Sequence, residues 1–319
     1  MLGPLEVRVG GSPVAVPGAR ARTFLTRLAL EPGRVVPVAR LIDAIWEDEP
    51  PDGATNALQS LVARVRRALP DCVETDTTGY RLAVEAEAVD AVRFERLAAE
   101  GRRRLADGDA RDAGAVLREA LELWRGPALA DAADASFAVA AAARLEELRL
   151  AAIEDNVEAT LATGNSDGTL VAELEALVAE HPLRERLNGQ LVRALAAEGR
   201  QADALAAFDR LRTRLANELG IDPSPELQEL QVAVLRGEPP KRKPVPSSAG
   251  EASLHAPPRT NLRAQITSFV GRESDVQRIS TALEGSRLVT LVGPGGSGKT
   301  RLATEVGRAS CRERVCSVV

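Results

Sequence analysis

Asn-Ala-Leu-Gln-Ser-Leu-Val-Ala-Arg-Val-Arg-Arg-Ala-Leu, residues 56–69, is the stretch on which the reading of this chain turns. Leu58, Leu61, Val62, Val65 and Leu69 fall at offsets 0, 3, 4, 7 and 11, which is one apolar stripe of a helix. The other side displays Asn56, Gln59, Ser60, Arg64, Arg66 and Arg67, and no acidic residue occurs from 54 to 69. Arginine bonds guanine bidentately, asparagine and glutamine suit adenine, and serine reaches phosphate. A helix of this kind fits the major groove of DNA. Taken alone, the same pattern also describes an ordinary amphipathic helix with a solvated arginine face, so its surroundings must decide.

Working outward, residues 2–9 and 13–16 read as two short strands joined at Gly10-Gly11-Ser12. Helical spacing runs from Ala19 to Leu30 and is stopped by Pro32-Gly33. Val35-Val36 is a short β segment before a second helix at 38–46. An acidic loop, Glu47-Asp48-Glu49-Pro50-Pro51-Asp52-Gly53, precedes a third helix at 54–69. Residues 72–84 then form a hairpin turning near Thr78-Gly79, which places Thr78 and Arg81 on a wing. Strands, three helices and a hairpin, in that order, predict an α+β winged helix over 1–89.

Residues 90–236 contain no convincing strand. Their helices share a glycine-bearing ending at 105–108, 161–164 and 195–199, and the last two begin 34 residues apart. That period suits a tetratricopeptide-like helical array. A plain bundle with glycine C-caps gives the same pattern. Residues 237–261 read as a Pro- and Ser-rich linker carrying Lys241-Arg242-Lys243.

Beyond it, Leu288-Val289-Thr290-Leu291-Val292 runs into Gly-Pro-Gly-Gly-Ser-Gly-Lys-Thr (293–300), a G-x-x-x-x-G-K-[ST] phosphate loop. Backbone N–H groups at Gly293, Gly295, Gly296 and Gly298 would cradle phosphate, Lys299 would balance its charge, and Thr300 would ligate Mg²⁺. Only 20 residues follow Lys299, with no second Mg²⁺-holding strand, so 262–319 reads as a truncated P-loop α/β fragment. No cofactor is required by this chain; ATP and Mg²⁺ belong to a longer form. The pattern breaks again after Gly307, which predicts a non-native tail.

Aromatic residues make up 3% of the 319-residue chain, so its cores must be built from Ala and Leu, and a mainly α multidomain protein is expected. Formal charge is −2 over 1–89, −9 over 90–236 and +6 over 237–319; any DNA contact must come from a local patch. No signal pattern and no apolar run of membrane-spanning length is present, and Cys72, Cys311 and Cys316 lack metal-ligand spacing. A reduced, cytoplasmic protein without membrane contact is the simple reading. No catalytic constellation emerges, and the chain is not read as an enzyme: His181 and His255 lie in a helix-end turn and the linker, and Glu146-Glu147 looks like a solvated helix face.

Leu-Gly-Pro-Leu-Glu-Val (2–7), Leu-Ile-Asp-Ala-Ile-Trp (41–46), residues 56–69 and Gly-Tyr-Arg-Leu (79–82) resemble the OmpR-type winged helix of the Streptomyces antibiotic regulatory protein family. Residues 90–236, ending in Glu-Leu-Gly-Ile-Asp-Pro-Ser-Pro-Glu-Leu (218–227), resemble that family's bacterial transcriptional activator domain. Ser-Phe-Val-Gly-Arg-Glu (268–273) is similar to the entry of the signalling ATPase fused behind larger members. Members usually carry several residues before the first strand, whereas Met1 abuts it here, so either a shortened first strand or a start codon placed late is expected. The resemblance implies a transcription activator that binds promoter DNA through Asn56, Gln59, Ser60, Arg64, Arg66, Arg67, Thr78 and Arg81. It further implies that loop 47–52 faces RNA polymerase holoenzyme, and it allows a homodimer through the helical region. A nucleotide-driven signalling regulator and a helical-repeat scaffold are the competing readings.

Overall fold

The structure is a computed structural model; it describes residues 1–164 and 168–238, together with a few helical positions between 275 and 281. The phosphate loop at 293–300, the linker from 239 onward and the tail after Gly307 lie outside the described residues.

The chain opens with a small hairpin, β1 (Val7–Val9) and β2 (Ser12–Val14), paired Val7 to Val14. Gly10 and Gly11 turn it with φ of 58° and 84°, backbone that only glycine adopts freely at both central positions. Strands were expected over 2–9 and 13–16; the first is shorter. Residues 1–5 spend their backbone hydrogen bonds elsewhere, as described below. Helices α1 (Ala19–Ala29), α2 (Val38–Trp46) and α3 (Ala54–Ala68) follow, with β3 (Val36–Pro37) between the first two. A second hairpin, β4 (Val73–Thr75) and β5 (Gly79–Leu82), adds β3 to form an antiparallel sheet of order β3-β5-β4. Phe24, Leu28, Leu41, Leu58, Val65 and Leu69 are almost fully enclosed, and Phe24 meets Tyr80 edge-on at 6.2 Å between ring centres.

After one 3₁₀ turn at Ala86–Ala88 the described chain is helical: α4 (Asp90–Ala106), α5 (Ala110–Glu122), α6 (Ser136–Thr163), α7 (Leu170–Glu180), α8 (Glu185–Ala197), α9 (Gln201–Leu219) and α10 (Pro225–Leu235). Gly108, Gly164, Gly199 and Gly220 have φ between 67° and 93°, so the repeated endings read from sequence are left-handed C-terminal caps. Helix α4 packs on α5, α5 on α6, α7 on α8, α8 on α9 and α9 on α10, while across the Gly164 break α6 packs on α8 rather than on α7. Two main apolar cores result, beside a small cluster of Leu105, Ala110, Ala113 and Ala159. The first runs from Met1 to Ala152 and joins the winged helix to α4, α5 and the start of α6; the second runs from Leu150 to Val234. Helix α6, roughly 42 Å long at 1.5 Å per residue, takes part in both.

Between the cores, α6 carries three enclosed carboxylates, Glu154, Asp155 and Glu158. Asp155 is held by Arg102 of α4 at 2.8 Å and by Arg186 of α8 at 2.5 Å. Glu154 accepts from Arg184 at 2.9 Å, and Glu158 pairs with Arg193 through both oxygens at 2.8 Å. Buried carboxylates persist only when paired in this way. Glu147 is exposed, as read from the sequence, and reaches Arg184 at 2.6 Å, while half-buried Glu146 accepts the Ala128 N–H at 2.7 Å.

Candidate nucleic-acid interface

At about 100° per residue, Leu58, Leu61, Val62 and Val65, with Leu69 just past the helix end, define the inward direction of α3, and all five are buried. Asn56, Ser60 and Arg67 then lie within roughly 20° of the opposite, outward direction; all three are exposed. Gln59 and Arg64 flank that stripe on its two sides and are also exposed. Neither Arg64 nor Arg67 has an ion-pair partner among the described residues; Arg67 touches only the Ala63 carbonyl one turn back, at 3.4 Å.

Arg66 is placed differently. It sits about 80° from the inward direction, is half-buried, and donates from Nε to the Val73 carbonyl at 2.9 Å and from its terminal nitrogen to Thr75 Oγ1 at 2.7 Å. Its guanidinium thus pins α3 to β4, with both bonds used inside the domain. Grouping all three arginines by exposure overlooked this, because β4 becomes a neighbour of α3 only once the hairpin folds back.

The wing is ordered by its own turn. Asp76 accepts from the Thr78 N–H at 3.3 Å and from the Thr77 hydroxyl at 3.1 Å, while its N–H donates to the Gly79 carbonyl at 2.9 Å. The Thr78 N–H chiefly, with the Thr77 hydroxyl, keeps the Asp76 carboxyl below its usual range. Thr78 and Arg81 are exposed, and Arg81 pairs with Glu74 across the hairpin at 2.5 Å. Arg81 therefore brings its own counter-charge, unlike Arg64 and Arg67.

In the loop before α3, Asp48, Glu49 and Asp52 are exposed. Glu47 instead accepts the Ser136 N–H at 2.9 Å and so caps α6. This is one of several links from the winged helix to the helical region that no local signal announced. Met1 and Leu2 donate to Asp90 at 3.0 and 3.2 Å, and their carbonyls accept from Leu129 and Arg125 at 2.8 and 2.7 Å. Asp131 takes the Leu5 N–H and pairs with Arg22 of α1 at 2.8 Å. Burial opposes ionisation of both Asp90 and Asp131. At Asp90 the positive N-terminus, the Leu2 N–H and Arg125 together outweigh it, and the Leu5 and Arg22 bonds do so at Asp131, so both carboxyls lie below their usual range.

Comparison with known proteins agrees with this architecture. Residues 89–235 match the bacterial transcriptional activator domain family, and residues 16–82 match the C-terminal domain of transcriptional regulatory proteins. The regulatory protein DnrI of Streptomyces peucetius is 41% identical over 251 residues, covering 75% of this chain and 92% of DnrI. The chain belongs to the Streptomyces antibiotic regulatory protein family of transcriptional regulators. The regulatory protein AfsR of Streptomyces griseus is 36% identical over 318 residues, covering 98% of this chain, which spans 32% of AfsR's length. The structure of Mycobacterium tuberculosis EmbR, solved in complex with a low-affinity phosphopeptide, superposes with a TM-score of 0.70 at 38% identity. That match covers 75% of this chain and 64% of EmbR, and it supports the mainly helical, multidomain fold with a small N-terminal β part. Among the described residues no group of His, Cys, Asp or Glu has the arrangement of a metal site, and no helix is long and apolar enough to cross a membrane.

Proposed function

We propose that this regulator binds promoter DNA in the cytoplasm by laying the outward stripe of α3 in the major groove, with the β4–β5 hairpin against the adjoining backbone. The observation that carries this reading is the solvent-facing set Asn56, Gln59, Ser60, Arg64 and Arg67, whose two arginines have no ion pair among the described residues while the opposite side of the helix is buried. Free guanidinium groups bond guanine edges or phosphates without first breaking an internal pair. Thr78 and Arg81 serve as wing contacts, Arg81 after parting from Glu74. Asp48, Glu49 and Asp52 present the acidic surface for RNA polymerase holoenzyme, Glu47 being engaged with α6.

Footprinting followed by titration on the protected site tests the α3 assignment. Arg64→Ala and Arg67→Ala should each weaken binding by about 1–3 kcal/mol if the arginine reads a base. A phosphate contact would instead reduce the slope of log affinity against log salt by about 0.9. Arg66→Ala should lower thermal stability and leave that slope unchanged. An unaltered affinity in both Arg64→Ala and Arg67→Ala would refute the assignment.

A further inference from the structure

The second core leaves a cleft of about 220 Å³ between α7, α8 and α9. Val178, Leu191 and Leu211 supply an apolar floor, and Arg210 and Arg214 of α9 line one side. These arginines are exposed and one turn apart, about 6 Å along the helix axis. Like charges at i and i+4 disfavour a helix, and neither arginine has an ion-pair partner among the described residues. The surrounding pattern is the reverse: Arg184, Arg186, Arg193 and Arg200 each hold a carboxylate. The segment 90–236 is moreover acidic, with a formal charge of −9. Two arginines with no ion pair among the described residues, over an apolar floor, therefore stand out as a local positive edge, and Glu175 is the one carboxylate among the described residues that line the cleft.

We propose that this cleft docks an acidic, leucine-bearing helix of a partner protein. Charge complementarity selects the acid: two carboxylates one turn apart on the incoming helix match the spacing of Arg210 and Arg214. The floor selects the leucine, since an amphipathic helix in a groove buries its apolar residues between such anchors. Nucleic acid is a poorer match, because its charged backbone has no apolar side chains to fill the floor. This docking site is separate from the α3 stripe and does not depend on DNA being bound there.

Fluorescence anisotropy on the full 319-residue chain tests the proposal. The probe is a panel of labelled helical peptides with two glutamates at i and i+4 and leucines between them, beside the same peptides with glutamine in place of glutamate. Saturable binding of glutamate peptides is expected, weakened at least tenfold by the glutamine exchange and by the double variant Arg210→Glu/Arg214→Glu. The milder Arg210→Gln/Arg214→Gln variant should also weaken binding, with unchanged helical circular dichroism and unchanged promoter affinity. Absence of saturable binding across the panel overturns the proposal. So does binding that persists undiminished in both double variants.

Discussion

At the scale of single residues, the interface rests on a distinction between two kinds of arginine. Arg64 and Arg67 face water with no ion-pair partner among the described residues, whereas Arg66 is spent on Val73 and Thr75. Adjacent residues on a helix point about 100° apart, so neighbours in sequence need not share a role. Gly79 makes a similar point. A turn near Thr78-Gly79 was legible from the sequence, but the reason for glycine was not. A Cβ at that position would lie 2.0 Å from the Val36 carbonyl oxygen and 2.9 Å from Pro37 Cα, both backbone atoms of β3. Strand β3 must move for any side chain to fit. Gly79→Ala should cost on the order of 1–3 kcal/mol or more, read as a fall in the thermal midpoint, and should loosen the wing. An unchanged midpoint would mean that β3 shifts freely.

At the scale of elements, α6 is the part that sequence periodicity described least. Its carboxylates Glu154, Asp155 and Glu158, which no sequence pattern singled out, are all enclosed by helices on either side. The first turn of α6 is capped from outside its own domain, by Glu47. An acceptor at an otherwise unpaired helical N–H stabilises a helix start. Glu47→Ala should therefore destabilise the protein modestly, by about 0.5–1 kcal/mol because the contact is exposed. Hydrogen exchange should quicken at the Ser136–Val139 amides while α3 exchange stays as it was. If exchange there does not change, water caps α6 equally well.

At the scale of the whole described molecule, winged helix and helical region share one core, stitched by Asp90 and Asp131. Both carboxyls are held below the ordinary range, against the opposing effect of burial. A carboxyl depressed in the folded state stabilises above its unfolded value and ceases to do so as pH falls through the folded one. Thermal stability should thus decline as pH drops below about 4, the ordinary aspartate value. Asp131→Asn should be less stable than the parent near neutrality, and the gap should close in acid. A gap independent of pH would show that Asp131 acts through packing rather than charge. Trp46 and Trp124, which both touch this core, report the transition by fluorescence.

The sequence by itself determined the three helices of the first 69 residues, the helical character of 90–236 with three of its glycine endings, which side of α3 is apolar, and the succession of strands, helices and hairpin that marks a winged helix. These are local properties, set by periodicity and turn chemistry over a few residues. Only tertiary structure decided that Arg66 turns inward, that Glu47 belongs to α6, that residues 1–5 pair with the helical region, and that three acids of α6 are buried. Each depends on partners 7 to 126 positions away, brought together by the packing of whole elements, and no local pattern records such a meeting.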